Sequence, residues 1–92
     1  MTKAELTYAI AEKTGIDRKA VLKIVEALME SIKESMQGGE EVFLRGFGSF
    51  VIKHRAEKTA RDIGKNTTII IPAHDIPAFK PAKEFMEAVK KA

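Results

Sequence analysis

Five cations, Lys53, Arg55, Lys58, Arg61 and Lys65, fall within the stretch 53–66, which holds only two acids, Glu57 and Asp62. Cationic side chains at this density neutralise phosphates and release their counterions, which gives affinity for a polyanion without reading its sequence. The stretch has one large apolar residue, Ile63, beside Gly64 where a turn belongs. A segment that cannot bury itself and ends in one apolar side chain is built to reach outward. Other reactive patterns are sparse. There is no nucleophile–base pair, no carboxylate pair at a recognisable spacing and no phosphate-cradling glycine loop, so an enzyme is not expected. Gly46-Phe47-Gly48 is too short for a dinucleotide fingerprint. His54 and His74 are too few and too isolated for a metal site, although His54 adds a titratable charge to the basic stretch. No metal or cofactor is expected.

The elements that must position these cations can be read from capping and periodicity. Thr2-Lys3-Ala4-Glu5 has the spacing of a capping box, and Leu6 and Ile10 mark one face of the helix it starts. Gly15 ends that helix, and Asp17 caps a second one running to Met36 or Gln37, stopped by Gly38-Gly39. Val21, Leu22, Ile24, Val25, Leu28, Met29, Ile32 and Met36 cover more than one narrow stripe, so the second helix packs on two sides. The first helix is one partner, and a second copy of the chain is a natural other.

The period then changes from helical to extended. Val42-Phe43-Leu44 reads as a short strand and Gly46-Phe47-Gly48 as a tight connection. Ser49 to Thr59 reads as one strand that starts apolar and turns polar, so it leaves a core. Thr67-Thr68-Ile69-Ile70-Ile71 turns apolar toward its end and reads as a return to that core. Together they predict a projecting ribbon, of which Lys53 to Arg61 alone spans roughly 30 Å at ~3.3 Å per residue. Pro72, Pro77 and Pro81 read as successive breaks, with Pro81 in the first turn of a final helix from Lys83 to about Lys90.

The chain of 92 residues is expected to be one domain, with 1–39 a helical dimerisation region, 40–82 sheet and arm, and 83–92 the last helix. Its 45% hydrophobic content is high for a small monomer without cysteines, and oligomerisation would resolve that tension. Residues 1–40 hold six Lys/Arg and seven Asp/Glu, a balance of −1, and residues 41–92 hold ten and six, a balance of +4. The basic field belongs to the second half, as in a binder of nucleic acid or of an acidic surface. An N-terminus without an apolar signal core, and no membrane-length apolar run, lead to the expectation of a soluble intracellular protein.

Gly46-Phe47-Gly48-Ser49-Phe50, the basic arm after it, Ile71-Pro72-Ala73 and Pro77-Ala78-Phe79-Lys80-Pro81 resemble the bacterial HU/integration host factor family of DNA-bending proteins over essentially the whole chain. The resemblance implies an α+β intertwined dimer with a two-helix N-terminal base. An antiparallel three-stranded sheet would extend into a β-ribbon arm, and a short C-terminal helix would close the chain. Two such arms would embrace duplex DNA through its minor groove, a geometry documented for this family. The charges of Lys53, Arg55, Lys58, Arg61 and Lys65 suit phosphate contacts along the arm, where Asn66 is also expected to bind DNA. By resemblance, Arg45 with the Gly46 to Gly48 backbone, and Lys80 and Lys83, touch phosphate too, with Lys3 a further contact. For any one lysine alone, a solvated surface charge is the simpler reading; their concentration on a ribbon favours a ligand.

The family's arm tip is usually Arg-Asn-Pro, whereas this chain has Arg61-Asp62-Ile63. Ile63 is an acceptable apolar wedge between base pairs, the alternative being packing within the tip. Asp62 lacks the asparagine donor and is expected to act as a turn residue with Gly64. Phe47, Phe50 and Phe79, which could stack on bases, are expected with Leu28, Ile32 and Leu44 in the dimer core. The implied protein is a cytoplasmic, nucleoid-associated homodimer that binds double-stranded DNA, preferring nicked, gapped or bent duplex, with little sequence specificity. Two alternatives are an integration-host-factor-like subunit with a heterodimeric partner and a preferred site, and a basic module that grips an acidic partner other than DNA.

Overall fold

The computed structural model describes residues 1–62 and 64–91. Ile63, the expected wedge, lies outside the described residues. Two helices come first, α1 (Lys3–Thr14) and α2 (Arg18–Gln37). The Thr2 hydroxyl oxygen accepts the Glu5 N–H at 3.2 Å, and the same hydroxyl donates to Glu5 Oε1 at 3.2 Å. Glu5 therefore closes the cap on the side chain of Thr2. Gly15 ends α1 with φ 73°, the left-handed conformation that glycine adopts without a Cβ penalty. Asp17 caps α2 by accepting the Lys19 N–H at 3.2 Å.

Five strands follow: β1 (Val42–Leu44), β2 (Gly48–Arg55), β3 (Lys58–Asp62), β4 (Thr67–Ile71) and β5 (His74–Pro81), then helix α3 (Lys83–Lys91). The body sheet has the order β1-β2-β5, all antiparallel, and β3 pairs with β4 in a separate two-stranded ribbon. Three expectations change here. The strand expected over Ser49–Thr59 is interrupted at Ala56-Glu57, so body and arm are distinct sheets joined at a break opposite Pro72-Ala73. The third strand of the body sheet is β5 rather than Thr67–Ile71, and Pro81 ends that strand instead of opening α3. Pro77 and Pro81 sit in β5 because it is an edge strand. Four residues apart, they aim their missing N–H groups at the same side, the unpaired one.

The third change concerns the isoleucines. Ile69 and Ile70 do not return to the body; they lie on the arm opposite Ala60 and Thr59 and are 45% and 62% exposed. Their β-branched side chains hold a ribbon that has no third strand to lean on.

A single chain has almost no interior. Among the described residues only Thr7, Ala11, Val21 and Gly48 are buried. The radius of gyration is 18.6 Å and the longest extent 57 Å, against the ~12 Å radius of a compact domain of this length. Phe47, Phe50, Phe79 and Phe85 cluster with ring centroids 5.0–6.1 Å apart, yet Phe47 remains 46% exposed.

Candidate nucleic-acid interface

Paired residues in an antiparallel sheet share a face, so the register sorts the body sheet into two sides. One side carries Val42, Leu44, Gly48, Phe50, Ile52, Pro77 and Phe79 and meets α2. The other carries Phe43, Ser49, Val51, Ala78 and Ile76, with Lys53, Arg55 and Lys80. Lys80 of β5 thus joins Lys53 and Arg55 of β2 on one exposed face, and no β-strand residue on that face is acidic. The face is concave at one end, where Arg45, Ser49, Lys80 and Ala82 line a hollow of about 510 Å³ that Glu41 also borders.

Arg45 and Gly46 form the turn between β1 and β2, closed by the Phe47 N–H donating to the Leu44 carbonyl at 2.9 Å. Gly46 has φ 81°, as the third residue of a type II turn requires. Gly48 differs from the other glycines of this region. It is buried, and a Cβ there would lie 2.5 Å from Phe79 Cζ and 2.6 Å from the Lys80 carbonyl oxygen. Its absent side chain lets β2 close against the phenylalanine cluster. Alternation along β5 puts the Lys80 side chain, next to Phe79, on the opposite face.

At the end of β1 the Glu41 carboxylate accepts the Ile52 N–H at 2.9 Å and occupies a donor that β1 is too short to reach. At the arm root, His54 Nδ1 meets Asp75 Oδ1 at 2.9 Å across the β2–β5 pair, and His74 Nδ1 lies 2.9 Å from the Pro72 carbonyl oxygen. Sequence reasoning missed the Glu41–Ile52 and His54–Asp75 contacts, because they depend on register.

In the arm, Lys58 and Arg61 fall on opposite faces of the ribbon. Asp62 acts as the turn residue expected: its Oδ1 accepts from the Gly64 N–H at 3.0 Å and from the Lys65 N–H at 3.4 Å. Asn66 takes φ 55° and accepts from Arg61 Nη2 at 2.7 Å, so the guanidinium is held in place across the tip. Lys65 is exposed in the same turn. Lys83 is the exposed first residue of α3, a helix start where free N–H groups favour anions. Lys3 is not a free cation, since its Nζ lies 3.1 Å from Glu26 Oε1.

A family model described as bacterial DNA-binding protein matches residues 1–90. The chain belongs to that family, the HU family. It is 41% identical over 90 residues to the DNA-binding protein HU of Geobacillus stearothermophilus, covering 98% of this chain and 100% of that protein. The HU of Thermus thermophilus is 40% identical over 91 residues, covering 99% and 94%. Among solved structures, an Anabaena HU–DNA cocrystal matches with a TM-score of 0.94 at 37% identity over 100% of both chains. HU from Thermotoga maritima matches with a TM-score of 0.67 at 31% identity, over 97% of this chain and 98% of that one. The α+β fold expected from the family resemblance is the fold observed, with the strand assignments corrected as above.

Proposed function

We propose that this HU-family chain is an architectural protein that pairs with a second copy of itself, grips duplex DNA through the minor groove with two arms, and bends it. The observation that carries the reading is the face bearing Lys53, Arg55 and Lys80, continuous in sequence with a basic ribbon and free of strand acids. Phosphate neutralisation by such a face gives affinity with little sequence preference. Binding to a duplex that already has a nick, gap or bend avoids part of the deformation cost, so distorted duplex is preferred.

Several features support a homodimer. A groove of about 660 Å³ between α2 and the sheet is lined by Met29, Ile32, Met36, Phe50, Ile52 and Pro77. Leu28 and Phe47 stay half exposed beside an interior too small to hold a domain of this size together. A second copy presenting the same apolar surfaces would cover them, with residues 1–39 supplying the helical part of the interface. Leu44, Phe79 and Ile32 would then enter the shared core. No described helix is long and apolar enough to cross a membrane. A cytoplasmic, nucleoid-associated protein is the setting that fits a DNA-bending role.

Gel-shift titration of straight and nicked duplex across a salt series tests this. The reading requires log-linear weakening with salt, tighter binding to the nicked duplex, and two chains per complex. No shift with either duplex at low salt would overturn it and favour an acidic partner other than DNA.

A further inference from the structure

We infer that the ribbon face carrying Thr59, Arg61, Thr68 and Ile70 is the one turned to the floor of the minor groove, and that Ile70 makes binding favour A·T over G·C pairs. The inference deepens the proposed function and rests on its minor-groove reading. It begins with register: Thr59 pairs with Ile70 and Arg61 with Thr68, which puts these four side chains on one face. Lys58, Ala60, Asp62, Thr67, Ile69 and Ile71 fall on the other.

The two faces differ in charge and in cover. The Ile70 face carries one cation, Arg61, and no acid, whereas on the Ile69 face the cation Lys58 is offset by the carboxylate of Asp62. The minor groove is a concentrated negative potential that draws arginine in and repels a carboxylate. Every residue on the Ile70 face is exposed, whereas Ala60, Asp62 and Ile71 on the other face are partly covered. Arg61 is also pre-positioned, since Asn66 Oδ1 holds its Nη2 at 2.7 Å.

Groove chemistry then selects the base pair. A·T and G·C both offer acceptors on the minor-groove floor, and only G·C adds a donor, the guanine N2 amino group. The shared acceptors cancel in the comparison, and the hydroxyls of Thr59 and Thr68 can donate to them. Ile70, 62% exposed on this face, can neither accept from the amino group nor leave room for it. Closing this face over a G·C pair leaves a buried donor unpaired, and that is a cost A·T does not carry.

The test is competition binding of the whole protein to nicked duplexes of equal length whose arm-contacting segments are A·T, G·C or inosine·C. Inosine removes the N2 amino group and leaves the major groove of the pair unchanged. The expected result is that A·T and inosine·C bind alike, each roughly fivefold or more tighter than G·C, the low end of the cost of one unpaired buried donor. Ile70→Thr keeps a β-branched residue in the ribbon but adds an acceptor, and it should narrow that gap. Ile69→Ala, on the other face, should leave it intact.

Equal binding to all three duplexes overturns the inference, as does inosine·C binding as weakly as G·C. A gap that persists in Ile70→Thr also overturns it, because the preference then comes from duplex deformability. In each of these cases steep salt dependence would leave the proposed function standing, whereas absence of binding to every duplex removes both.

Discussion

Gly48→Ala places a methyl carbon 2.5 Å from Cζ and 2.6 Å from Cε1 of Phe79, and 2.6 Å from the carbonyl oxygen of Lys80. Ordinary carbon contacts lie near 3.5–4.0 Å, so something must move by about 1 Å. The oxygen belongs to the β5 backbone opposite β2. The Phe79 ring cannot swing freely either, with Phe47, Phe50 and Phe85 centroids at 5.2, 5.0 and 6.1 Å. Overpacking a confined site costs about 1–3 kcal/mol, and this site falls at the upper end. At ~4–8 °C per kcal/mol for a domain of this size, the melting temperature should drop by more than ~10 °C. Gly46→Ala is the comparison: nothing lies within 4 Å of its added Cβ, and only φ 81° is strained, at about 1–2 kcal/mol. The assay is thermal unfolding by circular dichroism of both variants without DNA, followed by gel shift at a temperature where each is folded. Gly48→Ala should be the less stable of the two, yet close to the parent in affinity once folded. A Gly48→Ala melt within ~2 °C of the parent would refute the steric argument.

Further outcomes follow from the arm and from the helical base. Asp62→Asn keeps an oxygen acceptor for the Gly64 and Lys65 N–H groups and removes a negative charge from the tip; duplex affinity should rise several-fold at low salt with an unchanged melting temperature. Arg61→Gln should lower the slope of log affinity against log salt by about 0.9 for each arm engaged, read from a gel-shift salt series, and an unchanged slope would remove Arg61 from the phosphate or groove contacts. Glu26→Gln breaks an ion pair whose side chains are both about half exposed, so its stability effect should stay within ~0.5 kcal/mol. The same variant frees Lys3, and a gain in duplex affinity would mark Lys3 as a contact.

Local chemistry explains which parts of this fold were legible in the sequence. Thr2, Gly15 and Asp17 set helix ends through contacts only a few residues away, and each does so in the structure. Asp62 was readable for the same reason, since its turn is closed by the next three residues. Strand β5 was not readable, because Pro77 and Pro81 look like breakers until the strand is known to lie on an edge. Ile69 to Ile71 looked like core because hydrophobicity alone cannot tell a buried strand from a free-standing ribbon that needs β-branched residues. The shared face of Lys53, Arg55 and Lys80 depends on register between β2 and β5, which no local window contains. The packing role of Gly48 was not readable from the motif around it, because its burial against Phe79 depends on the pairing of β2 with β5.

The central claim is that two arms of a paired chain bend a duplex. End-to-end energy transfer on a doubly labelled nicked duplex, titrated with the protein through a salt series, tests it most directly. The account predicts a shortened end-to-end distance that saturates at two chains per duplex and relaxes as salt rises. Binding that leaves the end-to-end distance unchanged, or saturates at one chain per duplex, would contradict it.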